Sequence, residues 1–372
     1  MARATISNRA ALTAVVVAFL TGLIGSLALR PPGHSQTTEP SATPHPSARL
    51  DWRVPVAFST NLKALGDNIL YVRDVLAAAS DGTIRLKVYE PGEVVPALSI
   101  VDAVKDAKVP AGYTWLGYDQ GKIPSSALIA SVPFGMEPTE YMAWWYDAGG
   151  RELTETLYDR YGVHPLLCGL IGPETAGWFK KPINTLDDLK GLKIRFAGLG
   201  GRVLEKLGAS VTMLPGGEIF QALEKGAIDA TEYSLPDVDE ALGFDRVAKI
   251  NYFPGWHQPF TSFHLVVNLA IWRALVPADQ MLLEAACTAG VTRNLARSEA
   301  LQGAVIEGFP AKGVSAQALP LPLLHQLDAV TQQVLDEQAA QDPDFAQILA
   351  SQRAFRTQYA YWKHIAYLPR TF

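Results

Sequence analysis

Residues 191–232 read GLKIRFAGLGGRVLEKLGASVTMLPGGEIFQALEKGAIDATE. Short apolar runs alternate here with glycine turns and helical spacing, which predicts strand, helix, strand, helix and strand in succession. This succession is typical of an α/β sheet, and ligands bind beyond the carboxyl ends of the strands in such sheets. The pattern leaves Arg195 and Glu232 at two strand ends, which predicts a site for a small anion.

Arg195 is the predicted anion-binding residue. Its planar guanidinium can hold a carboxylate through two parallel hydrogen bonds, which lysine cannot reproduce. The alternative, which composition alone favours, is a surface arginine or a structural ion pair with Glu232. The glycines at positions 198, 200 and 201 suggest a dinucleotide fingerprint, but Val203 occupies the third required position.

Two carboxylates and a phenol complete the predicted site. Glu174 lies in a Gly-Pro loop and Glu232 follows a strand. If both converge on a bound carboxylate, they repel one another unless a metal cation lies between them. The alternative is that both are solvated. Among the aromatic residues near the predicted cleft, Tyr118 is the preferred hydrogen-bond donor to a bound oxygen.

The chain offers no recognisable catalytic machinery. Its histidines are scattered, and neither an H-E-x-x-H motif nor a G-x-S-x-G elbow is present. We therefore predict a binding protein, not an enzyme, with no catalytic residue. The net charge of −5 and the lack of a basic tract argue against a nucleic-acid partner. The two cysteines, Cys168 and Cys287, allow one disulfide, but we expect two separate buried thiols.

The N-terminal segment predicts export. Residues 10–29 form an apolar run of roughly the length that crosses a bilayer, after Arg3 and Arg9. We expect an uncleaved anchor to the inner membrane, although residues 26–28 offer a weak signal-cleavage site. Residues 31–49 are rich in Pro, Ser and Thr, which is typical of a disordered spacer. The folded part is therefore expected outside the cytoplasm.

The folded part begins with a β-α-β pattern that favours a parallel sheet. We expect the chain to cross into a second domain near Gly177 and to return near Pro259, which makes a hinge. Residues 277–307 predict one long helix, which packs across the hinge or on a second copy. The predicted segments are an anchor at 1–30, a linker at 31–49, lobe I at 50–176, lobe II at 177–259, a lobe I return with the long helix at 260–310, and a C-terminal helical region at 311–372.

Several motifs together resemble one family, and they occur in its order and at similar spacing. The motifs are VPFGM (132–136), AGWF (176–179), GLKIR (191–195), LPGGEIF (214–220), IDATE (228–232) and YFPGW (252–256). They resemble the extracytoplasmic solute-binding subunits of TRAP transporters. The most similar branch binds 2-oxo and 2-hydroxy monocarboxylates such as pyruvate and lactate.

This resemblance implies an α/β two-domain periplasmic-binding-protein clamshell with mixed, mostly parallel sheets and long C-terminal helices. It implies that Arg195 holds the ligand carboxylate, and that Glu232, the Tyr233 carbonyl and Glu174 hold a cation, Ca²⁺ or Na⁺. Glu174 stands where the branch usually has glutamine, and Tyr233 where it usually has tryptophan. The added charge leads us to expect Ca²⁺ over Na⁺.

The implied function is capture of a small organic acid and its delivery to TRAP membrane subunits. The branch also includes dimers that exchange a long C-terminal helix, and residues 277–307 suit that role, so the resemblance leads us to expect a homodimer. A carboxylate sensor for a signalling partner and a nucleotide-dependent dehydrogenase are the alternatives.

Overall fold

The computed structural model describes residues 49–368 together with Val17, Leu20 and Thr21. Contacts divide the chain into Met1–His45 and Pro46–Phe372, and the fold below is that of the second unit. Apart from those three helical, exposed residues, the predicted anchor at 10–29 lies outside the described residues. None of the helices searched in the described part is long and apolar enough to cross a membrane.

The strands of residues 49–368 form a parallel pair, a three-stranded sheet and a six-stranded sheet. They are β1 (Leu50–Pro55), β2 (Ile84–Tyr89), β3 (Ala111–Thr114), β4 (Val163–Ile171), β5 (Gly177–Phe179), β6 (Lys193–Arg195), β7 (Ser210–Thr212), β8 (Ala230–Thr231), β9 (Ile250–Phe253), β10 (Thr261–Asn268) and β11 (Ser315–Ala318). The orders are β1-β2, β3-β10-β4 and β11-β9-β5-β8-β6-β7.

Helices cover these sheets and form the C-terminal part of the described chain. They are α1 (Asn68–Ala79), α2 (Ile100–Lys105), α3 (Ser126–Ala130), α4 (Pro138–Asp147), α5 (Gly150–Asp159), α6 (Gly198–Lys206), α7 (Gly216–Glu224), α8 (Pro236–Ala241), α9 (Phe244–Val247), α10 (Leu269–Ala274), α11 (Pro277–Gly308), α12 (Leu321–Gln341) and α13 (Pro343–Ala366). Short 3-10 turns lie at Ala97–Ser99, Leu116–Asp119, Leu186–Leu189 and Pro310–Lys312.

The first lobe is built around β10, which pairs antiparallel with both β3 and β4. Every residue of β4 and β10 is buried, because helices or strands cover both faces. The predicted β-α-β start is confirmed, since β1 and β2 pair in parallel around α1. With the antiparallel pairs of β10, the sheets are mixed, as the family resemblance implied.

The long helix α11 packs on β4 and α1, and a disulfide between Cys168 of β4 and Cys287 of α11 fixes this contact. Our expectation of two separate thiols was therefore wrong. The cysteines are 119 residues apart in the chain, so no local pattern could show that β4 and α11 lie side by side. Asn68 of α1 adds a buried hydrogen bond to the Cys168 carbonyl at 2.8 Å.

The second lobe confirms the succession predicted from residues 191–232. It runs β6, α6, β7, α7 and β8, and β6 pairs in parallel with both β7 and β8. Arg195 stands opposite Thr231 in the β6–β8 register. Glu232 therefore follows β8 at the same edge of the sheet at which β6 ends.

The C-terminal part contains one strand that the predicted helical region lacks. Residues Ser315–Ala318 form β11, which pairs in parallel with β9. All four residues are exposed, so β11 carries no alternation of apolar and polar residues that could predict a strand. Helix α12 packs on α6, whereas α13 packs on α5, α4 and α3, so the tail contacts helices of both lobes.

Candidate functional site

Arg195 lies at the centre of the site and is 1% exposed. Its Nη1 donates to the Glu232 carboxylate at 2.7 Å and to the Glu232 carbonyl at 2.9 Å, and its Nε donates to the Leu214 carbonyl at 3.2 Å. The ion pair with Glu232 that composition favoured therefore exists. Among the described residues, Nη2 has the weak acceptor Met213 Sδ at 3.8 Å and the Tyr118 hydroxyl lies beside the guanidinium, so Nη2 is the edge that can hold an anion.

Glu232 is completely buried, and its two carboxylate oxygens differ in their hydrogen bonding. Oε1 accepts from Arg195 and from the backbone amide of Ala197, whereas Oε2 has no hydrogen-bond partner in the described residues. Burial works to raise the pKa of Glu232, but Arg195, His257 and the Ala197 amide outweigh it and hold the pKa below its usual value. Glu232 is therefore a carboxylate with one free oxygen.

Glu174 presents a second free carboxylate oxygen to the same place. Thr261 donates to Glu174 Oε1 at 2.7 Å, and Gln258 in turn donates to the Thr261 hydroxyl at 2.7 Å. Oε2 has no hydrogen-bond partner in the structure as described. Burial, together with the nearby charge of Glu232, raises the pKa of Glu174 well above its usual value. A positive charge placed beside it would favour its ionised form.

His257 is a site residue that sequence reasoning missed. Its Nε2 lies 3.8 Å from Glu174 Oε2 and 3.8 Å from Glu232 Oε2. Glu174, Glu232 and His257, called here the central cluster, each offer one ligating atom, and these atoms lie within 4.8 Å of one another. The sequence signal was the position of His257 directly after the YFPGW motif, but chain spacing alone does not link it to either glutamate.

The two predicted tyrosines flank Arg195 differently. The Tyr233 ring lies beneath the guanidinium, with Arg195 Cζ 5.2 Å from the ring centroid. Tyr118, in the turn Leu116–Asp119, packs edge-on against Trp115. Burial raises the pKa of Tyr118 to about 12, against the opposing influence of Arg195. Its hydroxyl therefore stays protonated at neutral pH and can donate a hydrogen bond.

Together these groups can bind an anion and a cation side by side. Carboxylate oxygens are the ligands that Ca²⁺ and Na⁺ prefer, and the two unpartnered oxygens of the central cluster fit such an ion. The Nη2 edge of Arg195 fits a carboxylate. The strand-end position at which both lie is where α/β folds bind small ligands. Fold and site thus define a two-lobe solute-binding protein.

The comparisons with known proteins agree with this class. The family model described as bacterial extracellular solute-binding protein, family 7 (DctP) matches residues 59–342. The chain belongs to this family, the solute-binding subunits of TRAP transporters, whose members are extracytoplasmic receptors. A relative from Nostoc sp., a monocarboxylate 2-oxoacid-binding periplasmic protein, is 34% identical over 315 residues, which cover 84% of this chain and 86% of the relative.

The solved structures that share the fold at more than 30% identity include the following two. A TRAP solute-binding protein from Bordetella bronchiseptica, a dimer with calcium and picolinate in one site, has a TM-score of 0.84 and 31% identity, covering 86% of this chain and 95% of its own. One from Pseudoalteromonas atlantica, with bound sodium and pyruvate, has a TM-score of 0.82 and 32% identity, covering 85% of this chain and 97% of its own. The family resemblance read from the motifs is confirmed.

Proposed function

We propose that this protein captures a small 2-oxo or 2-hydroxy monocarboxylate, such as pyruvate or lactate, and delivers it to TRAP membrane subunits. One observation carries the proposal: the free Nη2 edge of Arg195 lies in the same buried site as the unpartnered oxygens of Glu174 and Glu232. Arg195 holds the ligand carboxylate, and Tyr118 donates to a second ligand oxygen. The relatives that bind pyruvate or 2-oxoacids support this ligand class.

A cation bridging protein and ligand is part of this proposal. With a bound acid, the site holds the negative charges of Glu174, Glu232 and the ligand against the one positive charge of Arg195, which leaves a net charge of −2. A divalent ion cancels this charge and a monovalent ion does not, so we propose Ca²⁺ over Na⁺. Glu174, Glu232 and the backbone carbonyl of Tyr233 are the proposed ligands.

Capture requires the lobes to close over the acid. We propose lobe I at residues 50–176 and 260–310, lobe II at 177–259, and the C-terminal region at 311–372 as a bridge between them. Closure would sequester the acid from water and present one shape to the membrane subunits. No step here requires catalysis. We also propose that the apolar run at 10–29 tethers the protein to the inner membrane through the spacer at 31–49.

We also propose that the protein forms a homodimer. Near its end, α13 exposes large apolar side chains, with Tyr361 and Ile365 each 79% exposed. This part of the C-terminal helices is the proposed contact, and the dimeric relative from Bordetella supports it. Light scattering at micromolar concentration measures the mass, and a monomeric value would contradict the dimer.

The test of the ligand and cation is calorimetry on chelator-stripped protein. Pyruvate is titrated with Ca²⁺ or Na⁺ added back, and we expect clearly tighter binding with Ca²⁺. Glu174→Gln should lower the affinity measured with Ca²⁺, on the order of tenfold, and change that with Na⁺ much less, because it removes one negative charge. Equal pyruvate affinity with Na⁺ alone would contradict the proposed preference for Ca²⁺.

The rival functions predict other outcomes. A dehydrogenase would bind a labelled dinucleotide, whereas we expect none to bind, because Val203 breaks the fingerprint. A carboxylate sensor would bind the same acids but would not support uptake when combined with TRAP membrane subunits in vesicles.

A further inference from the structure

His257 occupies the middle of the site without any hydrogen bond. It is 1% exposed, and both of its ring nitrogens lack a partner in the described residues. Nε2 lies 3.8 Å from each of the two carboxylate oxygens that also lack a partner. This distance is too long for a hydrogen bond, but it is close to the separation of two atoms that bind the same metal ion.

Packing holds the imidazole in this position. The ring stands edge-on to Phe196 at 4.6 Å and to Trp256 at 5.7 Å between ring centroids. Helix α6 presses on the other side, because a Cβ atom at Gly200 would lie 2.7 Å from the Cβ of His257. The orientation is therefore imposed by neighbours, while each unpartnered buried polar atom lowers stability. A shared ligand between the three side chains would remove part of this cost.

We propose that His257 is a further protein ligand of the cation, beside Glu174, Glu232 and the Tyr233 carbonyl, and that the site consequently prefers a divalent metal that accepts nitrogen. This inference rests on the proposed bridging cation and names its chemical class. Imidazole suits first-row transition metals such as Zn²⁺ or Ni²⁺, of which Mn²⁺ binds most weakly and serves as the probe, whereas Ca²⁺ takes oxygen ligands almost exclusively. Two carboxylates, the Tyr233 carbonyl and one imidazole still leave coordination positions open for the oxygens of the captured acid. The expected order of preference is Mn²⁺ above Ca²⁺ above Na⁺.

The competing explanation is that His257 is a core histidine without a ligand role. His264 illustrates that case, because it is also completely buried with both ring nitrogens unpartnered, beside Trp145. Burial alone therefore does not mark a metal ligand. What distinguishes His257 is the convergence of two carboxylates, since no ion pair involves His264 in residues 49–368. His264 is accordingly the matched control.

The test uses the full chain stripped with chelator and loaded with Mn²⁺ in the presence of pyruvate. Electron spin-echo measurements detect nitrogen bound directly to Mn²⁺, and labelling histidine with ¹⁵N assigns the signal to imidazole. We expect this coupling in the wild type and in His264→Gln, and its loss in His257→Gln. Competition titrations should give Mn²⁺ an advantage over Ca²⁺ of at least about tenfold in the wild type. His257→Gln should bring that ratio close to one.

The outcomes distinguish a failure of this inference from a failure of the proposed function on which it rests. Mn²⁺ bound with pyruvate but without nitrogen coupling overturns the role of His257 and leaves the bridging cation intact. Pyruvate binding that no cation changes overturns the bridging cation itself. If His257→Gln fails to fold, which circular dichroism reports, the wild-type coupling alone decides the question.

Discussion

Arg195 combines a structural role with the proposed role in binding the acid, because its N–H groups are divided between the two. Its Nε and Nη1 groups hold Leu214 and Glu232, while Nη2 is left for the acid. This division fixes the guanidinium before the ligand arrives, so little side-chain freedom is lost on binding. The same division means that the residue cannot be removed without consequence for the fold.

Arg195→Ala should therefore lower stability as well as abolish pyruvate binding. In cation-free protein, the variant leaves Glu232 buried without its partner, and we expect the free energy of unfolding to fall by about 3–5 kcal/mol. Urea unfolding measures this loss. The double variant Arg195→Met with Glu232→Leu should recover most of it, because no charge is then buried alone. A loss below about 1 kcal/mol for the single variant would contradict the buried ion pair.

The raised pKa of Asp119 predicts how the free energy of unfolding depends on pH. Burial raises the pKa of Asp119 from 3.8 to about 7, and the nearby Asp102 adds to this effect. Between these two pH values the folded protein keeps a proton that the unfolded chain has lost, so stability falls as pH rises across this window. Asp119→Asn should remove this part of the decline. Unfolding measured from pH 4 to pH 8 tests it.

The control for this series is Asp74→Asn, because Asp74 is an exposed carboxylate on α1. Its pH profile should follow that of the wild type. A profile for Asp119→Asn that also matches the wild type would show that Asp119 titrates as an ordinary surface group.

Between elements, the disulfide joins the central part of the first lobe to its longest helix. Cys168 lies in the buried strand β4 and Cys287 in α11, and 119 residues separate them. Closing so long a loop restricts the unfolded chain strongly. The bond therefore stabilises the contact between β4 and α11 on which the first lobe is built.

Replacing both cysteines with alanine should lower the free energy of unfolding by about 4 kcal/mol. Urea unfolding of the oxidised wild type and of the double variant gives this difference. Reducing the wild type without mutation should cause a similar loss, which separates the cross-link from the effect of the missing sulfur atoms. If reduction leaves the unfolding midpoint unchanged, the disulfide contributes nothing to stability.

Across the whole molecule, the sequence predicted features that depend on neighbouring residues, and it did not predict contacts between residues far apart in the chain. Strands and helices from residue 191 to residue 232 follow from local apolar spacing, and Arg195 and Glu232 meet because parallel strand ends share an edge. His257 escaped prediction because a loop before β10 brings it to the two glutamates. The disulfide escaped for the same reason, and β11 because its residues are all exposed.

At the scale of the whole molecule, we propose that two lobes enclose an acid between Arg195 and the central cluster. The β6 and β8 ends supply Arg195 and Glu232, whereas the loop between β4 and β5 supplies Glu174 and the loop between β9 and β10 supplies His257. With the lobe bounds proposed above, the site draws on both lobes, so we expect ligand binding and lobe closure to be coupled.

The most direct measurement is a crystal structure of the protein grown with pyruvate and Ca²⁺, with anomalous diffraction used to locate the ion. We predict that the pyruvate carboxylate lies within hydrogen-bond distance of Arg195 Nη2, and that the ion contacts Glu174 and Glu232. Pyruvate bound away from Arg195, with no ion at the central cluster, would contradict the account.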